Sequence, residues 1–192
     1  MHTEIENKFE VDATDFKHLT SNFKIESFRE CYTVYYDNDL YLNKINATFR
    51  VRLVEDKKLM CFKLKESQNN GLRKATEIEE EIDYMPGNEI LSENLPDDFK
   101  NALTKENIHR LNKLGSMYIY RYKINFFDKY LVELDKVVLP DLSIFYEVEF
   151  EEEDLEKQSD FEKLLTENYE SARPSCLNKY QRFVGALSRR IY

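Results

Sequence analysis

Pairs of like-charged side chains recur two residues apart along this chain. The acidic sets are Glu4/Glu6, Glu77/Glu79/Glu81, Glu133/Asp135 and Glu147/Glu149; the basic sets are Arg50/Arg52, Lys63/Lys65 and Arg121/Lys123; Tyr35/Asp37 is a weaker eighth. In a β-strand, residues i and i+2 lie on the same face. Each strand would therefore present one sign of charge on one face and apolar residues on the other. Separate acidic and basic strands favour a surface that holds metal cations beside a polyanion, which is the chemistry of phosphoryl groups.

A triphosphate needs both kinds of strand. Arginine and lysine rows neutralise its closely spaced oxygens, and arginine can do so with two parallel hydrogen bonds. Carboxylates hold Mg²⁺ or Mn²⁺, which prefer oxygen ligands. Such an ion can bridge phosphate oxygens and activate water for in-line attack. We therefore expect Mg²⁺ or Mn²⁺ as the cofactor and a small triphosphate-containing molecule as the substrate.

Composition limits the other function classes. The chain has 192 residues, of which 42% are hydrophobic and 34% charged, so we expect one globular domain spanning residues 1–192. The formal net charge of -9 argues against a long nucleic acid as partner. No apolar run reaches the ~18 residues that a membrane span requires, so we expect no membrane partner.

The cellular compartment and the oligomeric state are indicated by weaker sequence signals. The first residues lack the basic and apolar segments of a secretory signal. Three widely spaced cysteines, Cys31, Cys61 and Cys176, have no metal-binding spacing and are typical of free thiols in a reducing environment. We therefore expect a cytoplasmic protein. The sequence leaves the oligomeric state open, with a homodimer among the options.

Hydrophobic periodicity predicts strands in hairpins, interrupted by helices. The predicted strands span residues 4–11, 32–37, 48–54, 59–65, 73–83, 117–127, 129–138 and 143–151. The predicted helices span residues 13–23, 96–103, 104–111 (ended by Gly115), 154–169 and 174–191. This order indicates an antiparallel α+β fold whose apolar strand faces pack against amphipathic helices. The charged faces would line either an open, solvated sheet or a closed channel, and the segregation of sign favours the channel.

The ordered set of motifs resembles the CYTH domains, the triphosphate tunnel metalloenzymes. Glu4-Ile5-Glu6-Asn7-Lys8 matches the E-x-E-x-K signature that begins these domains, and the later charged pairs follow in the family's order across nearly the whole chain. A late basic element, Lys179-Tyr180 before Arg182-Phe183, is also similar. The signature alone is a weak signal, whereas the ordered set is specific. The segment 136–142 lacks the Leu-Gly-x-Phe run associated with the cyclase-like branch.

The resemblance implies an eight-stranded antiparallel β-barrel, the triphosphate tunnel, with helices on the outside. It implies that divalent metal is bound by Glu4, Glu6, Glu147 and Glu149, with Asp135 or Glu79 as additions. It implies phosphate binding by Lys8, Arg50, Arg52, Lys63, Lys65, Arg121, Lys123 and Lys179. Lys8 and Glu79 are the candidate catalytic residues, and Lys179 on the final helix would cover one mouth of the tunnel.

Three functions remain open from the sequence. The first is metal-dependent hydrolysis of the terminal phosphoanhydride of tripolyphosphate, thiamine triphosphate or a nucleoside triphosphate. The second is a class IV adenylyl cyclase, in which a ribose hydroxyl replaces water as the nucleophile and pyrophosphate leaves. The third is a polyphosphate-binding module without catalysis, which would need only the basic rows and not the carboxylate pairs.

Overall fold

The structure is a computed structural model that describes residues 2–69 and 72–189. The strands are β1 (His2–Val11), β2 (Lys24–Asp37), β3 (Thr48–Val54), β4 (Lys57–Asn69), β5 (Leu72–Ile82), β6 (Glu89–Leu91), β7 (Arg110–Phe126), β8 (Tyr130–Val138), β9 (Ile144–Glu151) and β10 (Arg173–Pro174). The helices are α1 (Ala13–Asn22), α2 (Tyr41–Lys44), α3 (Asp97–Lys105), α4 (Leu155–Asn168) and α5 (Lys179–Arg189), with a 3₁₀ turn at Ser92–Asn94. None of the helices in these ranges is long and apolar enough to cross a membrane.

Eight of the strands close into an antiparallel barrel. Their order is β1-β5-β4-β3-β2-β7-β8-β9, and β9 pairs back onto β1 with Glu6 opposite Glu151 and Lys8 opposite Glu149. The eight-stranded antiparallel barrel predicted from the sequence is therefore confirmed. The alternative of an open sheet with a solvated charged face is wrong, because hydrogen bonding continues around the ring.

The apolar side chains of the barrel point outward and pack under helices. Phe49 of β3 makes an edge contact with Phe99 of α3, with ring centroids 5.9 Å apart. Phe9 of β1 makes a similar contact with Phe161 of α4, at 6.1 Å. The alternation of the strands therefore leaves their charged residues facing the interior. A barrel interior is ordinarily filled by apolar side chains, so a charged interior needs a specific reason.

Helix α5 borders the cavity with its first two residues, Lys179 and Tyr180. Tyr35 of β2 contacts the rings of Tyr180 and Phe183, with centroids 4.9 and 4.7 Å away. The Tyr180 hydroxyl donates a hydrogen bond to Asp37, which also accepts one from the backbone N–H of Leu42 at 2.9 Å. Asp37, from the weakest charged pair of the sequence, therefore anchors α5 and the short helix α2 and is not among the residues that line the cavity.

A capping motif fixes where α5 begins. The backbone N–H of Gln181 donates to Asn178 Oδ1 at 2.7 Å, and the backbone N–H of Asn178 donates to Gln181 Oε1 at 2.9 Å. This reciprocal pair satisfies two backbone donors that a helix start otherwise leaves open. The helix predicted for residues 174–191 therefore begins later, at Lys179, and residues 173–174 instead pair with β1.

The predicted helix at residues 104–111 is wrong. Helix α3 ends near Asn107, whose φ of 58° lies in the left-handed region, and Ile108 N–H closes back on Leu103 at 2.9 Å. The chain then enters β7 at Arg110, where Leu111 pairs with Ile90 of β6. Apolar spacing over so short a segment suits a strand as well as a helix, and the pairing with β6 decides the outcome.

Candidate functional site

The interior of the barrel holds a charged cavity of about 330 Å³. Among the described residues, seven carboxylates line it, from Glu4, Glu6, Glu77, Glu79, Glu133, Glu149 and Glu151. Seven basic groups of the same described part line it as well, from Lys8, Arg50, Arg52, Lys63, Arg121, Lys123 and Lys179. The strands that carry these residues lie all around the barrel, so the closure of the sheet is what brings them together.

Glu77 is the carboxylate that neutralises the basic wall of β3 and β4. It lies opposite Lys63 in register, with Lys63 Nζ at 3.4 Å and Arg50 at 3.5 Å, and the Cys61 thiol donates to it at 2.5 Å. Burial by itself would raise the pKa of Glu77, but Lys63, Arg50 and the thiol outweigh it and lower the pKa to about 2. Burial raises the pKa of the Cys61 thiol to about 12, so the thiol stays protonated.

Arg52 differs from the other buried cations of the cavity because no described carboxylate pairs with it. Its Nε is buried and has no hydrogen-bond partner. Burial lowers the pKa of Arg52, and the neighbouring guanidinium groups of Arg50 and Arg121 lower it further. A buried guanidinium without an anion is costly. Arg52 is therefore suited to receive an anion from outside the protein.

Two acidic residues of β1, Glu4 and Glu6, line the cavity together with Lys8. The Lys8 ammonium is 3.0 Å from Glu6 and 2.9 Å from Glu149 of β9, and Glu4 pairs with Lys63. Burial would lower the pKa of Lys8, but the surrounding carboxylates raise it well above its ordinary value. Burial and the nearby Glu6 raise the pKa of Glu4. The part of the cavity formed by β1 therefore holds one ammonium group that stays charged, Lys8, beside carboxylates that repel one another.

A second cluster lies beside the start of α5. Arg121 donates two hydrogen bonds to Asp135, at 2.7 and 2.6 Å, and contacts Glu149 at 2.8 Å. Lys179 contacts Asp135 at 2.9 Å, Glu147 at 2.5 Å and also Glu149. Burial would raise the pKa of Glu149, but Lys179, Lys8 and Arg121 hold it well below the usual range. Burial and the neighbouring Glu149 raise the pKa of Glu147, and Lys179 only partly offsets them.

The structure brings most of the sequence-predicted site residues to the cavity. Those lining it are Glu4, Glu6, Lys8, Arg50, Arg52, Lys63, Glu79, Arg121, Lys123, Glu149 and Lys179. Asp135 and Glu147 lie deeper, beneath Lys179, and both are fully buried. Lys65 is part of β4, and its side chain lies outside the described part of the structure. The roles given to these residues stay predictions.

Three charged residues that line the cavity, Glu77, Glu133 and Glu151, have no role in the sequence-based assignment. Glu77 and Glu133 belong to charged pairs that the sequence reveals, so the spacing signal is present for both. Their partners on the neighbouring strands, Lys63 and Arg121, cannot be identified from one strand at a time. Glu151 continues the alternation of Glu147 and Glu149 and lies opposite Glu6. Extending the pair Glu147/Glu149 by two residues would identify Glu151.

The closed barrel and its cavity of paired acids and bases define the class of protein, an antiparallel barrel with a charged interior. The CYTH domain model matches residues 2–184, and the chain therefore belongs to the CYTH family. The resemblance drawn from the sequence is confirmed. Among curated proteins, none matches this chain.

Solved structures share this fold at low sequence identity. A Hippeastrum protein named as a candidate adenylyl cyclase, with a dominant triphosphatase activity, is 18% identical, covers 95% of each chain and has a TM-score of 0.77. A candidate adenylate cyclase from Bacillus halodurans is 22% identical, covers 95% of this chain and 99% of its own, and has a TM-score of 0.72. The PH1819 protein of Pyrococcus horikoshii is 17% identical, with coverage of 95% and 98% and a TM-score of 0.63. Both triphosphatase and cyclase names therefore occur among its structural neighbours.

Proposed function

We propose that this protein hydrolyses the terminal phosphoanhydride of a compact triphosphate with the help of Mg²⁺ or Mn²⁺. The observation that carries the proposal is the enclosed cavity of about 330 Å³, in which Arg52 has no carboxylate partner among the described residues. A cavity of that size suits a short polyphosphate chain. An unpaired buried guanidinium gains most from an anion with several oxygens.

The basic wall binds the phosphates in this proposal. Arg50, Arg52 and Lys63 come from two neighbouring strands, and Arg121 and Lys123 face them from β7. Arg52 is available without breaking an existing ion pair. The others exchange part of their contact with Glu77 or Glu133 for contact with phosphate oxygens. The acids then keep the empty cavity electrically balanced, which limits self-repulsion before substrate arrives.

The β1 carboxylates suit a hard divalent cation. Glu4 and Glu6 offer oxygen atoms on one face of a strand, and Glu149 and Glu151 of β9 lie across from them. The pKa of Glu4 is raised by burial and by Glu6, so added positive charge there relieves crowding between carboxylates. When bound, Mg²⁺ or Mn²⁺ would polarise phosphate oxygens and make water a better nucleophile.

Two residues have distinct parts in the proton chemistry. Lys8 keeps its proton, because the surrounding carboxylates raise its pKa well above the ordinary value. It can therefore stabilise charge on the phosphoryl group but cannot accept a proton from water. Glu79 lines the open part of the cavity and is exposed, so its carboxylate can accept the proton from an attacking water and release it to solvent.

The experiment is a substrate panel with identified products. Tripolyphosphate, thiamine triphosphate and nucleoside triphosphates are each incubated with the full chain and Mg²⁺ or Mn²⁺, and orthophosphate is measured. We expect release from at least one substrate, lost in Glu6→Ala. The matched control is Glu81→Ala, because Glu81 follows the same alternation on β5 but pairs with Lys57 outside the cavity. No release above that of Glu6→Ala would end the proposal.

The same panel decides the second candidate function. Both the Hippeastrum and the Bacillus halodurans proteins carry adenylyl cyclase names. A cyclase would use the same basic wall and cation but would yield cyclic AMP and pyrophosphate from ATP, with no orthophosphate. That product pattern would replace hydrolysis as the function of this site. Tight tripolyphosphate binding with neither product would instead indicate a binding module.

A further inference from the structure

Three carboxylates beside the start of α5 share one ammonium group. Lys179 Nζ lies 2.9 Å from Asp135 Oδ2 and 2.5 Å from Glu147 Oε2, and it also contacts Glu149. An ammonium group has three N–H donors and no acceptor. Lys179 donates a hydrogen bond to Glu149 and forms ion pairs with Asp135 and Glu147, so oxygen atoms that could ligate a metal already have a cation beside them.

Two further cations reach this cluster. Arg121 binds Asp135 through two hydrogen bonds and contacts Glu149, while Lys8 lies 2.9 Å from Glu149. Both are shared with other acids, because Lys8 also lies 3.0 Å from Glu6 and Arg121 also pairs with Glu133. Asp135 and Glu147 are fully buried, so solvent screens these charges weakly. A divalent ion bound by Asp135, Glu147 and Glu149 would have to displace Lys179, which would leave the buried ammonium without partners.

The fold holds Lys179 in that position. Lys179 is the first residue of α5, and the reciprocal hydrogen bonds between Asn178 and Gln181 fix the start of the helix. A helix N-terminus is the positive end of the helix dipole and usually disfavours a lysine. Here the dipole and the ammonium act together on the same carboxylates. The N-terminus of α5 therefore places both the positive end of the helix dipole and the Lys179 ammonium beside these carboxylates.

We propose that Lys179 is a built-in cation that occupies the place of a second divalent metal, so the tunnel binds a single divalent ion at Glu4 and Glu6. Asp135 and Glu147 then position Lys179 and do not ligate metal, which differs from the role that the family resemblance implies for them. The inference rests on the proposed function only in requiring that a divalent ion binds. The number of divalent ions bound per chain would then depend on the position of Lys179 at the start of α5.

Counting bound Mn²⁺ tests the inference without any substrate. The full chain is stripped with EDTA, exchanged into buffer and titrated with Mn²⁺, and free Mn²⁺ is followed by its electron paramagnetic resonance signal. We expect one Mn²⁺ per chain for the wild type and for Lys179→Arg, which keeps the charge. We expect two for Lys179→Met, because removal of the ammonium leaves Asp135, Glu147 and Glu149 as an open oxygen site.

The outcomes separate this inference from the proposed function. Two Mn²⁺ bound to the wild type, or one bound to a folded Lys179→Met, would overturn the inference alone. No Mn²⁺ bound to the wild type would overturn it together with the metal requirement of the proposed function. Should Lys179→Met fail to fold, Glu147→Gln decides the question. One Mn²⁺ with unchanged affinity supports the positioning role of Glu147, and loss of binding contradicts it.

Discussion

Arg50 and Arg52 lie two residues apart on the same strand and face the same cavity, yet only Arg50 has a described carboxylate partner. Arg50 lies 3.5 Å from Glu77, whereas Arg52 has no ion pair with a described carboxylate; the Nε of each arginine is buried without a hydrogen bond. Within this basic pair, Arg50 therefore neutralises Glu77, and Arg52 remains available to bind a ligand. The difference follows from the register, which puts Glu77 opposite Lys63 and closer to Arg50.

Arg52→Met should damage function without damaging the fold. Loss of one phosphate-binding guanidinium should reduce catalytic efficiency by roughly 10²-fold, about 3 kcal/mol of transition-state stabilisation. The free energy of unfolding should stay the same or rise slightly, because the folded protein no longer buries an unpaired cation. The matched variant Arg50→Met should lose about 1–3 kcal/mol of stability, since it removes a partner of buried Glu77. Urea denaturation and initial rates give both readouts, and a reversed order of stabilities would contradict the assignment.

Glu77 should control the acid stability of the protein. Its pKa falls from an ordinary value near 4.5 to about 2 in the folded state, so its contribution is present above pH 4.5 and disappears as the pH falls through about 2. That shift corresponds to about 3 kcal/mol at neutral pH. Glu77→Gln should lose stability of that order at pH 7 and show a flatter decline on acidification.

The control for this prediction is on the same strand. Glu79→Gln alters an exposed carboxylate two residues along β5 and should leave both the stability and its pH profile nearly unchanged. Chemical denaturation at several pH values between 2 and 7 provides the measurement. Equal pH profiles for the two variants would show that the ion pairs of Glu77 do not stabilise the fold.

Glu4→Gln should separate metal binding from folding. Burial and Glu6 raise the pKa of Glu4, so the charged form is disfavoured in the metal-free folded protein and neutralisation should not lower its melting temperature. With Mn²⁺ at about 100 times its dissociation constant, the wild type should gain about 2.7 kcal/mol, and the variant should gain much less. Thermal melts in EDTA and in Mn²⁺ measure this. An equal Mn²⁺ effect in both proteins would remove Glu4 from the metal site.

Gly115 should be intolerant of a side chain. Its φ of 151° is rarely adopted by other residues, and an added Cβ would lie 3.3 Å from the ring of Phe183 in α5. Gly115→Ala should therefore cost about 1–3 kcal/mol. Gly87→Ala is the matched control, because nothing lies within 4 Å of the position that its Cβ would occupy and its φ is not in the restricted region. Similar melting temperatures for the two variants would show that the contact with Phe183 can relax.

The charged pairs predict the barrel and most of the cavity because period-two alternation is a strong signal. It fixes which residues share a face, and the family's motif order supplies the closure that alternation alone leaves open. The start of β2 is not predicted, because residues 24–30 are largely exposed and lack that alternation; pairing with β7 holds them. The helix end predicted at Gly115 is wrong, since this glycine lies at a register shift between β2 and β7.

The pairing inside the cavity could not be predicted from the sequence. That Glu77 neutralises Lys63, or that Lys179 contacts three acids, depends on which strands become neighbours and on where α5 begins. These contacts join residues far apart in the chain, such as Lys8 and Glu149. The sequence identifies which side chains face inward, whereas the shear and closure of the barrel determine which of them meet.

The aromatic contacts of Tyr35 with Tyr180 and Phe183 fasten the C-terminal helix to β2. Lys179 and Tyr180 are consecutive residues, so any shift of these rings also shifts an ammonium group that lines the cavity. The packing of one aromatic cluster therefore sets the position of one of the charges that the cavity presents.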